Sequence, residues 1–283
     1  MADPLRIGGA TRVAGVIGWP VERSLSPAIH NAAADALGLD RVYVALPVPP
    51  GAVDAAVRGL VALGFDGANV TMPHKDAVAR AIDRLTEDAE RLRAVNTIHV
   101  MPDGVLGANT DAPGFGRFLE RDAGYDASGR SALLFGAGGA ARACALALAR
   151  GGLARLTVAL RDPARDADLR ASLDGFATSV RTVAFEDAAA EAADLIVNAT
   201  PIGGHGEILP LPPLAASTMA VDLLYRPATT PLQVAVREAG GTAFGGLGLL
   251  LHQAALAFEL WTGQPAPMEA MSAAALAALG ARD

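Results

Sequence analysis

Strand-like and helix-like segments alternate along most of this 283-residue chain, and this order restricts the fold more than any single motif. Apolar runs rich in valine, isoleucine and leucine are mostly followed by runs with helical spacing. The strand candidates are "RVAGVIG", "VYVALPV", "GANVT", "SALLF", "RLTVAL", "DLIVNAT" and "MAVDLLY". Such alternation predicts parallel sheets with helices on both faces. We therefore predict the α/β fold class.

One strand candidate leads through a glycine-rich turn into a helix, in "LLFGAGGAARA". Gly136, Gly138 and Ala141 form a G-x-G-x-x-A pattern there. The first glycine permits the tight turn, the second lets backbone approach a pyrophosphate, and the small third residue lets helix and strand pack closely. The phosphate then lies at the helix N-terminus. The pattern predicts a Rossmann-like dinucleotide-binding domain over residues 113–246.

The N-terminal part of the chain has its own series of strands and helices. Residues 96–109 are interpreted as two strands around a Pro-Asp-Gly turn. The helices after residue 246 have no strands of their own, so we assign 247–283 to the N-terminal part. We predict two domains, an α/β substrate domain (1–112 plus 247–283) and the dinucleotide domain, with a cleft between them that holds the site.

The loop "VALRDPARD" indicates which dinucleotide is bound. Arg161 and Arg165 suit the 2′-phosphate of NADP, whereas Asp162 suits a ribose hydroxyl of NAD. Two arginines favour NADP, with NAD as an alternative. The interpretation in which both arginines are only solvated loop charges also stays open.

Composition excludes several classes of protein. The net charge is −7 and no basic cluster occurs, so we expect no nucleic-acid partner. The single cysteine, Cys144, excludes an internal disulfide and a cysteine zinc site, and the scattered histidines suggest no metal. The apolar stretch 245–263 contains His252, Gln253 and Glu259 and is interpreted as a buried helix rather than a membrane span. With no signal sequence visible, we expect a soluble, cytoplasmic protein.

The chain contains one lysine, Lys75; the other 22 of its 23 Lys and Arg residues are arginine. Guanidinium does not deprotonate in proteins, whereas a lysine amine can transfer a proton near neutral pH. Asn69 and Thr71 end a strand just before this lysine, and Asn96 and Asp111 lie in polar segments further on. A carboxylate beside the lysine would orient its amine. We predict a catalytic role for Lys75.

The segment "VERSLSPAIHN" carries two serines. Ser24 and Ser26 are two residues apart, and we expect an extended segment in which both hydroxyls face one side. Ser26 is also expected to be the N-cap of the following helix. Two hydroxyl donors beside a helix N-terminus suit a substrate carboxylate.

The chain resembles the shikimate dehydrogenases from about residue 12 to 263. The resemblance is carried, in order, by "VIGWPVERSLSPAIHN", "GANVTMPHK", "AVNTI", "GANTDAPGF", "FGAGGAARA", "VNATPIG", "DLLYRPATTPL" and "GLGLLLHQAALAFELWTG". It implies reduction of 3-dehydroshikimate to shikimate with NADPH, a step of chorismate and aromatic amino acid biosynthesis.

The resemblance also implies roles for individual residues. Lys75 and Asp111 would be the catalytic pair. The substrate-binding positions would be Ser24, Ser26, Asn69, Thr71, Lys75, Asn96, Asp111, Tyr225 and Gln253. The cofactor-binding positions would be Glu87, Gly136, Ala137, Gly138, Gly139, Ala140, Arg161, Asp162, Arg165, Thr200, Leu223 and Gly246.

Departures from the family pattern leave two alternatives. Leu160 and Asp162 replace the asparagine and threonine of the family's cofactor loop, Leu249 replaces a methionine, and "NATPIGGHG" predicts a looser loop. An acid at the Asp162 position occurs in NAD-using relatives of the family. The first alternative is therefore an NAD-preferring quinate/shikimate or aminoshikimate dehydrogenase. Ser26, however, favours shikimate over quinate as the substrate. A non-catalytic paralogue that binds a nucleotide or carboxylate is the second. The sequence leaves monomer and homodimer open.

Overall fold

The computed structural model describes residues 7–281, and these form two compact units. The first unit comprises the described parts of Met1–Thr110 and Leu251–Asp283, and the second comprises Asp111–Leu250. The helices are α1 (Ser26–Ala36), α2 (Val53–Ala62), α3 (Lys75–Ala81), α4 (Glu87–Leu92), α5 (Asp111–Arg121), α6 (Gly139–Arg150), α7 (Ala167–Ser172), α8 (Pro231–Glu238), α9 (Leu247–Thr262) and α10 (Met268–Gly280). None of the helices within residues 7–281 is long and apolar enough to cross a lipid bilayer.

The first unit is built on a mixed six-stranded sheet. Its strands are β1 (Arg12–Gly18), β2 (Arg41–Pro47), β3 (Gly67–Val70), β4 (Arg84–Leu85), β5 (Thr97–Met101) and β6 (Gly104–Ala108). The spatial order is β2-β1-β3-β5-β6-β4, with β5 antiparallel to both β3 and β6 and the other pairs parallel. The β5–β6 hairpin turns at residues 102–103, which confirms the predicted Pro-Asp-Gly turn.

The apolar stripes of α2 and α3 cover one face of this sheet. Val57 and Val78 from these helices pack with Ile17 of β1 and Val70 of β3. Burial of each such side chain stabilises the fold by about 1.5–3 kcal/mol relative to exposure. On α9, Trp261 donates its Nε1–H to the Ile98 carbonyl at 2.9 Å, which fastens that helix to β5.

Two arginines begin adjacent strands of the first unit and share one acid. Arg12 and Arg41 are paired in register, so their like charges lie side by side. The buried carboxylate of Asp66, just before β3, forms ion pairs with both. The negative charge of Asp66 offsets the repulsion between the two guanidinium groups, and its ion pairs connect β1, β2 and β3 at their amino ends.

The second unit contains a parallel six-stranded sheet. Its strands are β7 (Ser131–Phe135), β8 (Arg155–Leu160), β9 (Ser179–Ala184), β10 (Leu195–Asn198), β11 (Met219–Asp222) and β12 (Thr242–Phe244). The order is β12-β11-β10-β7-β8-β9, and all five pairings are parallel. Read from the β9 edge, this is the 3-2-1-4-5-6 order of the Rossmann fold. The strand order reverses between β7 and β10, which is where such sheets bind ligands.

The predicted α/β class is confirmed, but several short elements escaped prediction. The edge strand β9 has largely exposed or half-buried side chains, so it lacks a continuous apolar run, and β12 has three residues. The helical pattern of "HKDAVARAIDRL" (74–85) predicts a longer helix than α3, which ends at Ala81 because Ile82 is extended (φ −120°, ψ 125°) and residues 84–85 form β4. The short helix α4 was also missed.

Candidate active site

Lys75 is the first residue of α3 and its backbone is fixed from two sides. The preceding turn is closed by a hydrogen bond from the His74 amide to the Thr71 carbonyl at 3.0 Å. The His74 ring bonds the Val48 carbonyl through Nε2 at 2.6 Å. The Lys75 carbonyl accepts from the Val95 amide at 3.0 Å. The half-buried lysine side chain therefore starts from a well-anchored position beside the end of β3.

Asn96 is the centre of a buried polar cluster in the first unit. Its Oδ1 accepts from the Thr110 amide at 2.7 Å, and its Nδ2 donates to the Thr110 hydroxyl at 3.0 Å. The same Nδ2 lies 3.4 Å from Oε1 of Gln253, on α9. Asp111, the residue after Thr110, begins α5 and is 6% exposed. The structure therefore brings together Asn96 and Gln253, two predicted substrate residues that are 157 positions apart.

Asn69 is held by protein groups on both sides of its amide. The Tyr43 hydroxyl donates to Asn69 Oδ1 at 2.7 Å. The Asn69 Nδ2 donates to the Thr97 hydroxyl at 3.1 Å and to the Asn96 carbonyl at 3.3 Å. Since both amide hydrogens are used, only the second lone pair of Oδ1 remains for a ligand. Asn69 thus fixes the ends of β3 and β5.

Tyr43 was missed by the sequence analysis. It is 3% exposed and its ring stacks on His30 with centroids 4.3 Å apart. Burial raises the pKa of Tyr43 well above its usual range, against smaller lowering effects of Ser26 and Asn69. Burial likewise lowers the pKa of His30 to about 3, so this imidazole is neutral. Only its position in a predicted strand was visible in the sequence, which does not reveal a partner 26 residues away.

Replacing Tyr43 by phenylalanine is expected to lower the free energy of unfolding by about 1–3 kcal/mol, because it leaves a buried acceptor on Asn69 without its donor. The matched control is Tyr125→Phe. Tyr125 is also buried, but its hydroxyl has no hydrogen-bond partner among the described residues. Urea unfolding followed by circular dichroism should show a loss for Tyr43→Phe and none for Tyr125→Phe. Equal losses would contradict the assignment.

The serine segment differs from its predicted geometry. Residues 21–24 form a turn, with the Ser24 amide bonded to the Val21 carbonyl at 3.0 Å, so the segment is not extended. Ser26 is the first residue of α1, and Leu25 occupies the N-cap position. The Ser24 hydroxyl accepts from the Ser26 amide at 3.2 Å. The first helical hydrogen bond runs from the Ile29 amide to the Leu25 carbonyl at 3.1 Å, so the helix begins one residue earlier and the prediction of Ser26 as N-cap was wrong.

The glycine turn of the second unit lies at the strand-order reversal. Gly136 follows β7 with φ +105°, which favours glycine. A Cβ there would lie 3.2 Å from both the Ala199 carbonyl oxygen and the Thr200 methyl group, so the loop after β10 packs closely on it. Helix α6 starts at Gly139 without a side-chain cap from Gly138. These features suit a dinucleotide pyrophosphate at the start of the helix.

The arginine loop follows β8. Arg161, Asp162 and Arg165 are all exposed. The Asp162 Oδ1 accepts from the Ala164 amide at 3.1 Å and caps the short 3-10 turn Pro163–Asp166. One oxygen of this carboxylate therefore shapes the loop that carries the two arginines.

The remaining predicted cofactor positions fall into two groups. Thr200, Leu223 and Gly246 follow β10, β11 and β12, and a Cβ on Gly246 would lie 2.0 Å from the Leu223 carbonyl oxygen. Glu87 is exposed at the first position of α4, in the first unit. Tyr225, a predicted substrate residue, is half-buried in the loop after β11, and burial raises its pKa.

The loop predicted to be looser than in the family is tied by an acid that sequence reasoning missed. Glu207 Oε2 accepts from the amides of Gly203 and His205, both at 3.0 Å. Backbone hydrogen bonds from His205 and from this loop lower the pKa of Glu207. These hydrogen bonds tie the loop to Glu207, the residue directly after "NATPIGGHG".

No group of three or more His, Cys, Asp or Glu side chains within residues 7–281 is arranged to hold a metal ion.

The parallel sheet in Rossmann order, with a glycine turn at its reversal, defines a dinucleotide-binding α/β protein. Sequence profiles narrow this class: "Shikimate dehydrogenase substrate binding domain" matches residues 16–98, and "Shikimate 5'-dehydrogenase C-terminal domain" matches residues 246–276. The chain belongs to the shikimate dehydrogenase family.

Individual relatives cover nearly the whole chain. A shikimate dehydrogenase (NADP(+)) from Rubrobacter xylanophilus is 47% identical over 94% of this chain and 96% of its own length. The structure of shikimate 5-dehydrogenase from Thermus thermophilus in complex with NADP(H) and shikimate is 38% identical, with a TM-score of 0.84 over 95% of this chain and 100% of that one. The enzyme from Listeria monocytogenes in complex with shikimate and NAD is 33% identical, with a TM-score of 0.86 over 94% of this chain and 96% of that one.

Proposed function

We propose that this protein is an NADP-dependent shikimate dehydrogenase, which reversibly reduces 3-dehydroshikimate to shikimate in chorismate and aromatic amino acid biosynthesis. The observation that carries the proposal is the buried cluster in which Asn96 bonds both Thr110 and Gln253. Three distant segments of the family pattern meet there, and Asp111 follows Thr110 directly. Relatives named as NADP-dependent shikimate dehydrogenases support the proposal.

In this proposal the first unit binds the substrate and the second binds NADP. The substrate carboxylate is held by Ser24 and Ser26, with Tyr225 nearby. The ring hydroxyls are bound by Thr71, Asn96, Asp111 and Gln253. The protein acts on these small molecules in the cytoplasm, as a monomer or homodimer, without nucleic-acid or membrane partners.

The chemistry explains the single lysine. When bound, NADPH supplies the hydride that reduces the ketone. Negative charge then develops on the carbonyl oxygen, and Lys75 stabilises this charge and donates the proton. Asp111 holds the ammonium towards that oxygen and, in the reverse direction, favours its return to the charged form. An arginine would stabilise the charge but would not release the proton.

Initial rates of nicotinamide reduction with shikimate, measured with NADP and NAD in parallel, test the proposal. We expect fast reduction of NADP and little reduction of NAD, since Arg161 and Arg165 suit a 2′-phosphate. Failure to reduce either nucleotide would contradict the proposal and favour a non-catalytic binding protein.

A second candidate is an NAD-preferring quinate/shikimate or aminoshikimate dehydrogenase. It is favoured by Asp162, whose second carboxylate oxygen remains available for a ribose hydroxyl. The relative from Listeria monocytogenes with NAD and shikimate gives this candidate further support. Faster turnover with NAD, together with oxidation of quinate, would replace the first proposal by this one.

A further inference from the structure

Three segments at the carboxyl edge of the second-unit sheet meet at the carboxylate of Asp222. This residue ends β11 and its exposed fraction is 0%. Its Oδ1 accepts from the Asn198 Nδ2 at 3.0 Å and from the Leu224 amide at 3.1 Å. Its Oδ2 accepts from the Thr230 hydroxyl at 2.7 Å. Asp222 therefore joins the end of β10, the loop after β11 and the start of α8.

The first connection sets the orientation of Asn198. An ionised carboxylate only accepts hydrogen bonds, so it directs the Asn198 NH₂ group towards itself and the Asn198 carbonyl oxygen away. That Oδ1 accepts from the Thr200 amide at 3.0 Å and from the Thr200 hydroxyl at 2.7 Å. The Asn198 Nδ2 also donates to the Ile202 carbonyl at 2.9 Å, so Asp222 and this carbonyl together orient the amide that holds Thr200.

The second connection fixes the backbone around Leu223. The Leu223 amide bonds the Asn198 carbonyl at 2.9 Å, and the next amide, that of Leu224, bonds Asp222. The Leu224 carbonyl accepts from the Gly246 amide at 2.9 Å. The third connection holds Thr230, whose hydroxyl caps α8 in a capping box with Gln233. Each segment that carries Thr200, Leu223 or Gly246 is linked to Asp222 directly or through one residue.

A second aspartate in the same sheet provides a comparison. Asp194 lies just before β10, at the opposite, amino edge. Its Oδ2 accepts from the Ser131 amide at 2.8 Å and the Ser131 hydroxyl at 2.7 Å. Both acids connect neighbouring strands, but hydrogen bonds lower the pKa of Asp194, whereas burial raises that of Asp222. The acid with the larger desolvation cost lies at the ligand-binding edge.

We propose that Asp222 is a positioning residue for the nicotinamide-side half of the dinucleotide. In Rossmann order, β10, β11 and β12 form one mononucleotide-binding half, and β7, β8 and β9 form the other. Arg161 and Arg165, which are assigned to the 2′-phosphate, follow β8, so the adenosine side belongs to the half formed by β7, β8 and β9. Asp222 fixes loops of the other half, formed by β10, β11 and β12. The inference rests on the proposed function, because Thr200, Leu223 and Gly246 are assigned to the cofactor there.

The test compares Asp222→Asn with Asp194→Asn by calorimetric titration with two probes. NADP+ spans both halves, whereas 2′,5′-ADP carries only the adenosine half. We expect Asp222→Asn to weaken NADP+ binding about tenfold, since the amide cannot accept all three hydrogen bonds, and to change 2′,5′-ADP binding less than about twofold. Asp194→Asn should leave both affinities within about twofold. The KM for shikimate should stay unchanged in Asp194→Asn.

Two results would overturn the inference. One is unchanged NADP+ affinity in Asp222→Asn, and the other is an equal loss of both probes, which indicates general damage. If Asp222→Asn does not fold, Thr230→Val removes one donor and should show the same selective loss at about two- to threefold, and an unselective loss there also refutes it. A wild-type protein that binds neither NADP+ nor NAD+ would refute the proposed function together with this inference.

Discussion

Replacing Lys75 by arginine is expected to lower kcat for shikimate oxidation by about 10²- to 10⁴-fold, the usual contribution of a positioned proton-transfer group. The charge and much of the length of the side chain are kept, so substrate binding and fold should survive. The group that can release a proton is lost. Steady-state kinetics with shikimate and NADP, together with circular dichroism, measure both properties.

The chain provides a matched control for this exchange in the same helix. Arg80 is exposed in the last turn of α3, and Arg80→Lys makes the reverse substitution at a site without a catalytic role. We expect kcat within about twofold of wild type for that variant. Wild-type kcat in Lys75→Arg would show that the lysine acts only as a positive charge, and the acid–base assignment would then be wrong.

The double change Arg161→Ala and Arg165→Ala is expected to raise the KM for NADP by at least about a hundredfold. Each charge-assisted hydrogen bond to a phosphate contributes about 1.5–3 kcal/mol, or roughly ten- to hundredfold in affinity. NAD lacks the 2′-phosphate, so its KM should change little. Initial rates with both nucleotides at saturating shikimate measure the selectivity.

Arg155→Ala is the control for loss of positive charge. Arg155 is exposed at the amino end of β8, whereas Arg161 follows its carboxyl end. Its removal should leave both KM values within about twofold. An equal rise in the KM for NADP and NAD after the double change would mean that the arginines support the loop instead of binding the 2′-phosphate.

The sequence was most informative where one residue type meets a local backbone or chemical requirement. Gly136 could be predicted as a turn residue, and its φ of +105° follows from the strand, turn and helix in "LLFGAGGAARA". Lys75 stood out because it is the only lysine. The meeting of Asn96 with Gln253 could be inferred only from the family resemblance, because no local pattern relates residues 157 positions apart.

What escaped prediction depends on tertiary partners. Tyr43, Asp222 and Glu207 are ordinary members of a strand or loop in the sequence. Their importance comes from the groups that folding brings to their polar atoms. Ser26 shows the opposite error, since the capping rule was applied to a residue that already lies inside the helix. Sequence rules describe a residue's local backbone better than the partners of its side chain.

The location of Trp261 against β5 has a practical consequence for spectroscopy. The chain contains two tryptophans, and both Trp19 and Trp261 belong to the first unit. Tryptophan fluorescence therefore reports the first unit alone, whereas circular dichroism reports both units. Denaturation curves recorded with the two signals would separate the stabilities of the two units in the unlabelled protein.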